Sequence, residues 1–75
     1  MSLANTHITD AGLQYLKRMT ELEWLNLDST RVSDAGLEQI KGLPHLRRLV
    51  LTHTDVTDEG VKRLREALPN REIER

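Results

Sequence analysis

The chain repeats itself every 24 residues, and no other feature constrains its fold as strongly. Thr6, Thr30 and Thr54 fall in one column, and Ile8, Val32 and Val56 in another. Asp10, Asp34 and Asp58 follow, then Gly12, Gly36 and Gly60. Leu13, Leu37 and Val61 form the next column, and Leu16, Ile40 and Leu64 another. Leu3, Leu27 and Leu51 match, as do Leu25, Leu49 and Ile73. A unit this short cannot bury its apolar face alone, so successive units must stack on one another.

Each unit has two parts with different periodicity. Leu22-Glu23-Trp24-Leu25-Asn26-Leu27-Asp28 alternates at its end, the mark of a strand with one buried face. Leu46-Arg47-Arg48-Leu49-Val50-Leu51-Thr52 repeats it. Between the strands, Leu37, Ile40 and Leu43 are three apart, as are Leu13 and Leu16, so each set lies on one helix face. Thr9, Ser33 and Thr57 stand where an N-cap hydroxyl accepts a bond from an orphan backbone N–H. Asp10, Asp34 and Asp58 come next, a favourable charge at the positive end of a helix dipole. Lys17, Arg18, Lys41 and Arg65 sit towards the other end, again with the favourable sign. Gly42 and Pro44 stop the middle helix.

The unit Leu22-x-x-Leu25-x-Leu27-x-x-Thr30-x-Val32 resembles the leucine-rich repeat signature. Its continuation Val32-Ser33-Asp34-Ala35-Gly36-Leu37 is similar to the helical repeats with an I-T-D-x-G-L turn. Those are familiar in large bacterial repeat proteins and, with cysteines added, in F-box substrate receptors. The resemblance covers essentially the whole chain and implies an α/β solenoid, with parallel strands on a concave side and helices on a convex side. One departure is that Thr fills the usual Asn or Cys column. Thr6, Thr30 and Thr54 can still bond neighbouring backbone, with fewer bonding groups than Asn has. The sequence has no cysteine, which departs from the F-box subtype.

On this reading residues 1–75 are a single repeat domain, with units near 1–24, 25–48 and 49–72 plus a terminal strand Glu72-Ile73-Glu74. Neither end carries an obvious capping motif, although the highly polar stretch Asn70-Arg71-Glu72-Ile73-Glu74-Arg75 offers a crude cap; the reading favours a piece of a longer array, with strand edges that invite edge-to-edge association of copies. With 11 basic and 12 acidic residues the formal net charge is -1, which argues against a nucleic-acid binder. No secretory signal or apolar membrane span is present in this sequence, so a membrane partner is not expected; the compartment is left unknown, with a cytoplasmic setting slightly favoured.

In the strands Leu25 and Leu27 point inward, which turns Trp24, Asn26 and Asp28 to the concave face. The same rule selects Arg48, Val50 and Thr52, then Glu72 and Glu74. Trp24, Arg48 and Glu72 are expected in one row, with Arg48 lying against the indole or pairing with Glu72. Trp and Arg are enriched at binding hot spots, so Trp24 is the foremost contact residue. The alternative is that Trp24 merely covers the sheet. His7, His45 and His53 lie in three different columns and have no metal-ligand spacing, so no metal is expected. Helix capping accounts for the Asp column better than a calcium ladder does. The glycines are 24 apart with no phosphate-loop motif; they serve close packing or loosen the helix start, and the sequence does not separate the two. No nucleophile–base pair points to catalysis, and no cofactor is implied.

The expected function is therefore a non-enzymatic module that binds a protein partner through the concave face, at Trp24, Asn26, Asp28, Arg48, Val50, Thr52 and Glu72. A structural or self-assembling segment of a longer array is the alternative. Membership of a larger ubiquitin-ligase assembly would need an F-box, which this sequence lacks.

Overall fold

The computed structural model describes residues 1–75. The apolar residue at the centre of each strand segment is what places the sheet. Leu25 and Leu49 are buried, and around them form β1 (Trp24–Asn26), β2 (Arg48–Val50) and β3 (Glu72–Glu74). The three strands are parallel in the order β1-β2-β3. Their register follows the repeat: Trp24 pairs with Arg48 and Arg48 with Glu72, while Leu25, Leu49 and Ile73 align. The first residues run along the outer edge of β1, bridged at Ser2 and Asn26. There Asn26 N–H donates to the Met1 carbonyl at 2.9 Å, and Leu3 N–H to the Asn26 carbonyl at 2.8 Å. The chain thus begins in a strand-like position, as the repeat alignment predicts.

Each strand leads through a tight turn into a helical segment. The sharp bend needs a left-handed residue once per unit, and Asn5, Ser29 and His53 supply it with φ of 59°, 57° and 54°. Asn and His tolerate this region better than most residues. Immediately after it, the threonine hydroxyl donates to the carbonyl of the leucine three residues earlier. The distances are 2.7 Å for Thr6–Leu3, 2.8 Å for Thr30–Leu27 and 2.7 Å for Thr54–Leu51. Thr30 is buried and satisfied by this bond. The expected bonding of the threonine column to neighbouring backbone is thus what the structure contains, and each bond stays within its own turn.

The helical segments are a 3-10 helix at Gly12–Arg18, α1 at Asp34–Ile40 and α2 at Asp58–Ala67. Only Thr57 caps as expected, its hydroxyl accepting from Gly60 N–H at 3.1 Å. The Ser33 hydroxyl instead donates to Asp10, and Thr9 makes no side-chain cap. The middle helix ends before Gly42, as predicted, but no glycine takes a positive φ. Lys17, Arg18 and Arg65 lie in the last turns of their helices, and Lys41 stands just beyond α1.

The aspartate column has a larger role than the dipole argument gave it. Asp10 Oδ1 accepts from Ser33 N–H at 2.7 Å, and Asp34 Oδ1 accepts from Thr57 N–H at 2.8 Å. The second carboxylate oxygens take the Ser33 and Thr57 hydroxyls. Each aspartate therefore fastens the start of the next unit's helix to its own. The glycine column makes this possible. A Cβ on Gly60 would lie 2.9 Å from Asp34 Oδ2, and one on Gly36 would lie 2.8 Å from Leu13 Cδ1 and 3.2 Å from Asp10 Cγ. Close packing of successive units, rather than backbone freedom, is what Gly36 and Gly60 serve, whereas a Cβ on Gly12 would meet Ile8 Cγ1 of its own unit at 2.8 Å.

Between sheet and helices lies one continuous core of fifteen buried side chains, including Leu13, Leu25, Leu27, Ile40, Leu49, Leu51 and Leu64. Leu3, Ile8, Leu22 and Ile73 pack against its ends, only partly buried. The result is a small α/β fold of three parallel strands and three helical segments.

Candidate functional site

The face of the sheet opposite the core carries the side chains that alternate with Leu25 and Leu49. Trp24, Arg48 and Glu72 occupy one register row, and Asn26, Val50 and Glu74 the next. Trp24 is 39% exposed, a large apolar surface for a chain with only two aromatic residues. Arg48 does extend to Glu72, with Nε 3.9 Å from Glu72 Oε2, but its closer partner is Glu74, where Nη2 donates to Oε1 at 3.0 Å. The guanidinium is thus drawn away from the β1 side of the row. Both pairs are exposed, where a single ion pair contributes about 0–1 kcal/mol.

Val50 departs from the expected contact set. It is only 8% exposed, because it sits mid-row between its register partners Asn26 and Glu74. It therefore offers a partner little free surface. Asn26 is half-buried and occupied locally, its Oδ1 accepting from Asp28 N–H at 2.9 Å.

Asp28 and Thr52 do come together, at the rim where the strands turn. The Thr52 hydroxyl donates to Asp28 Oδ1, Ser29 Oγ donates to Oδ2 at 3.2 Å, and His53 Nδ1 lies 3.0 Å from Oδ1. The Thr52 hydroxyl, followed by His53 and Ser29, holds the Asp28 carboxyl below the ordinary aspartate value of 3.8. Asp34, away from this face, is lowered as well, first by the Thr57 hydroxyl and then by the Thr57 amide. His53 and Ser29 are rim residues that sequence reasoning did not select. The signal was available in the Asn5, Ser29 and His53 column, one position before each threonine, where the turn requires a left-handed residue.

The face can offer a partner an indole surface, an arginine–carboxylate cluster and a hydrogen-bonding rim. No three His, Asp or Glu side chains gather closely enough to hold a metal ion. No helix is long and apolar enough to cross a membrane.

A family model described as Leucine Rich repeat matches residues 42–64. That span covers the return into β2, β2 itself, the Thr54 turn and most of α2, one unit of the repeat. The match supports a leucine-rich repeat family for this chain. No curated protein sequence matches the chain significantly.

Proposed function

We propose that the chain is a protein-interaction module that binds its partner on the face bearing Trp24, Arg48, Glu72, Asp28 and Thr52. Leucine-rich repeat domains commonly mediate protein–protein interaction, which supports the class of function. The observation that carries the choice of face is the exposed Trp24 in register with Arg48 and Glu72. An aromatic residue beside an arginine is the composition at which binding energy concentrates. On this proposal the repeats belong to the I-T-D-x-G-L type of bacterial repeat proteins and curve as a solenoid, with the docking face on the concave side.

A photo-crosslinking amino acid placed at Trp24, and in a second protein at the convex Tyr15, tests the face. Tyr15 is 79% exposed, more accessible than Trp24, so a lack of labelling there does not come from poor access. A partner captured from the Trp24 position and not from Tyr15 supports the proposal, and Arg48→Glu in the protein carrying the crosslinker at position 24 is expected to abolish that capture while the protein stays folded. Equal labelling from both positions contradicts it. The alternative, a structural segment of a longer array, draws on the interlocking of Asp10 with Ser33 and of Asp34 with Thr57, which extends in principle to any number of units.

A further inference from the structure

Three kinds of acceptor recur at the junctions between units, and each takes a backbone N–H from the unit that follows. The Met1 carbonyl accepts from Asn26 at 2.9 Å. The Ile8 and Val32 carbonyls accept from Arg31 at 3.2 Å and Asp55 at 3.0 Å. The Asp10 and Asp34 carboxylates accept from Ser33 and Thr57. The same columns continue to the Ile73 carbonyl, three periods after Met1, and to the Val56 carbonyl and the Asp58 carboxylate, one period after Val32 and Asp34. Each is taken by a guanidinium. Arg65 Nη2 donates to the Ile73 carbonyl at 3.3 Å, and Arg75 Nη2 to the Val56 carbonyl at 2.7 Å. Arg75 Nη1 pairs with Asp58.

The repeat pattern breaks at the residue that makes two of these contacts. Arg75 stands in the column of Leu3, Leu27 and Leu51, the last two of which are core residues. A guanidinium suits the task because its planar fork presents several N–H groups at fixed angles and can serve two acceptors at once. A lysine ammonium is a single point charge and lacks that geometry. The surrounding groove is polar as well: Asp58, Lys62, Arg65, Glu66 and Arg75 line it, with Val61 its one apolar residue.

We propose that Arg65 and Arg75 form a guanidinium cap that occupies the acceptors which the earlier junctions give to backbone N–H groups, pins β3 to the stack and closes this edge of the 75-residue chain to strand addition by a second copy of it. An uncapped edge presents unpaired backbone groups and is a template for another strand. A strand arriving here must first displace both guanidinium groups.

The test compares the full chain with the Arg65→Ala/Arg75→Ala double variant and with Arg75→Lys, each checked for folding by circular dichroism. Amide exchange reads the pinning at Glu72 N–H, bonded to the Arg47 carbonyl, and at Leu51 N–H, bonded to the Glu74 carbonyl. Light scattering reads the molar mass over a concentration series. In the double variant these two amides are expected to exchange about five-fold faster or more, the scale of losing exposed ion pairs in a locally opening segment. Leu27 N–H, bonded to the Val50 carbonyl one junction earlier, keeps its rate. The double variant's mass rises with concentration while the unaltered chain stays monomeric, and Arg75→Lys follows the double variant in direction. Unaltered exchange in the double variant, full retention of function by lysine, faster exchange without any rise in mass, or association of the unaltered chain would each overturn the proposal. Should the double variant fail to fold, Arg75→Lys decides: faster exchange at Glu72 and Leu51 supports the cap, and unchanged exchange contradicts it.

Discussion

Gly60 and Asp34 show how much a single position in this chain depends on its neighbour one unit away. Glycine inside a helix costs about 1 kcal/mol relative to alanine, so Gly60→Ala should stabilise α2 if only the helix counted. A Cβ there would press into the Asp34 carboxylate, which is itself fixed by the Thr57 amide and hydroxyl. Moving that carboxylate surrenders its bonds, and overpacking of this kind costs about 1–3 kcal/mol. Gly60→Ala is therefore expected to destabilise the protein by about 1 kcal/mol in urea unfolding. In an Asp34→Ala background the same change should become neutral or stabilising, because the obstruction is gone. A stabilising Gly60→Ala in the otherwise unaltered chain would contradict this reading. The recurrence of glycine two residues after each aspartate was plain in the sequence. Its reason was not, because the atom each of Gly36 and Gly60 makes room for lies about one period away along the chain.

At the scale of elements, the helical segments differ in ways the repeat columns did not reveal. Thr9, Ser33 and Thr57 are equivalent in sequence, yet only Thr57 caps its helix through the side chain. The amides of Ser33 and Thr57 are fixed by an aspartate of the preceding unit. The first segment, Gly12–Arg18, winds as a 3-10 helix. Such helices are seldom longer than three or four residues, and this one runs for seven. These aspartate links also set a pH dependence. Asp28 and Asp34 titrate below their ordinary value of 3.8 in the folded protein. A carboxyl depressed by folding contributes stability that is complete above its unfolded-state value and is lost as pH falls through the folded value. Thermal melts are therefore expected to be flat from neutral pH down to about 5 and to fall below about 4. Asp34→Asn should show a shallower fall, since one of the two depressed groups no longer titrates. An equal acid dependence in that variant would remove Asp34 from the account.

At the scale of the molecule, the arrangement of parallel strands was legible from the alternation around Leu25 and Leu49, and the core from the leucine columns. The row of Trp24, Arg48 and Glu72 was legible too, because a fixed period places equivalent strand residues side by side. The burial of Val50 was not, since alternation tells which face a residue takes and not how far its neighbours enclose it. Nor was the way the units are joined. The helix-start aspartates looked like local dipole partners, and their actual donors are the amides and hydroxyls of the next unit. That joining is central to how so short a chain holds a continuous core, and one measurement addresses it directly. Native-state amide exchange by NMR compares Thr57 and Ser33 in the unaltered protein and in Asp34→Ala. The expected result is that Thr57 exchanges about ten-fold faster in the variant, the equivalent of about 1.4 kcal/mol, with fraying of the first turn of α2, while Ser33 keeps its protection from Asp10. Unchanged exchange at Thr57 would mean that the aspartates do not fasten one unit to the next.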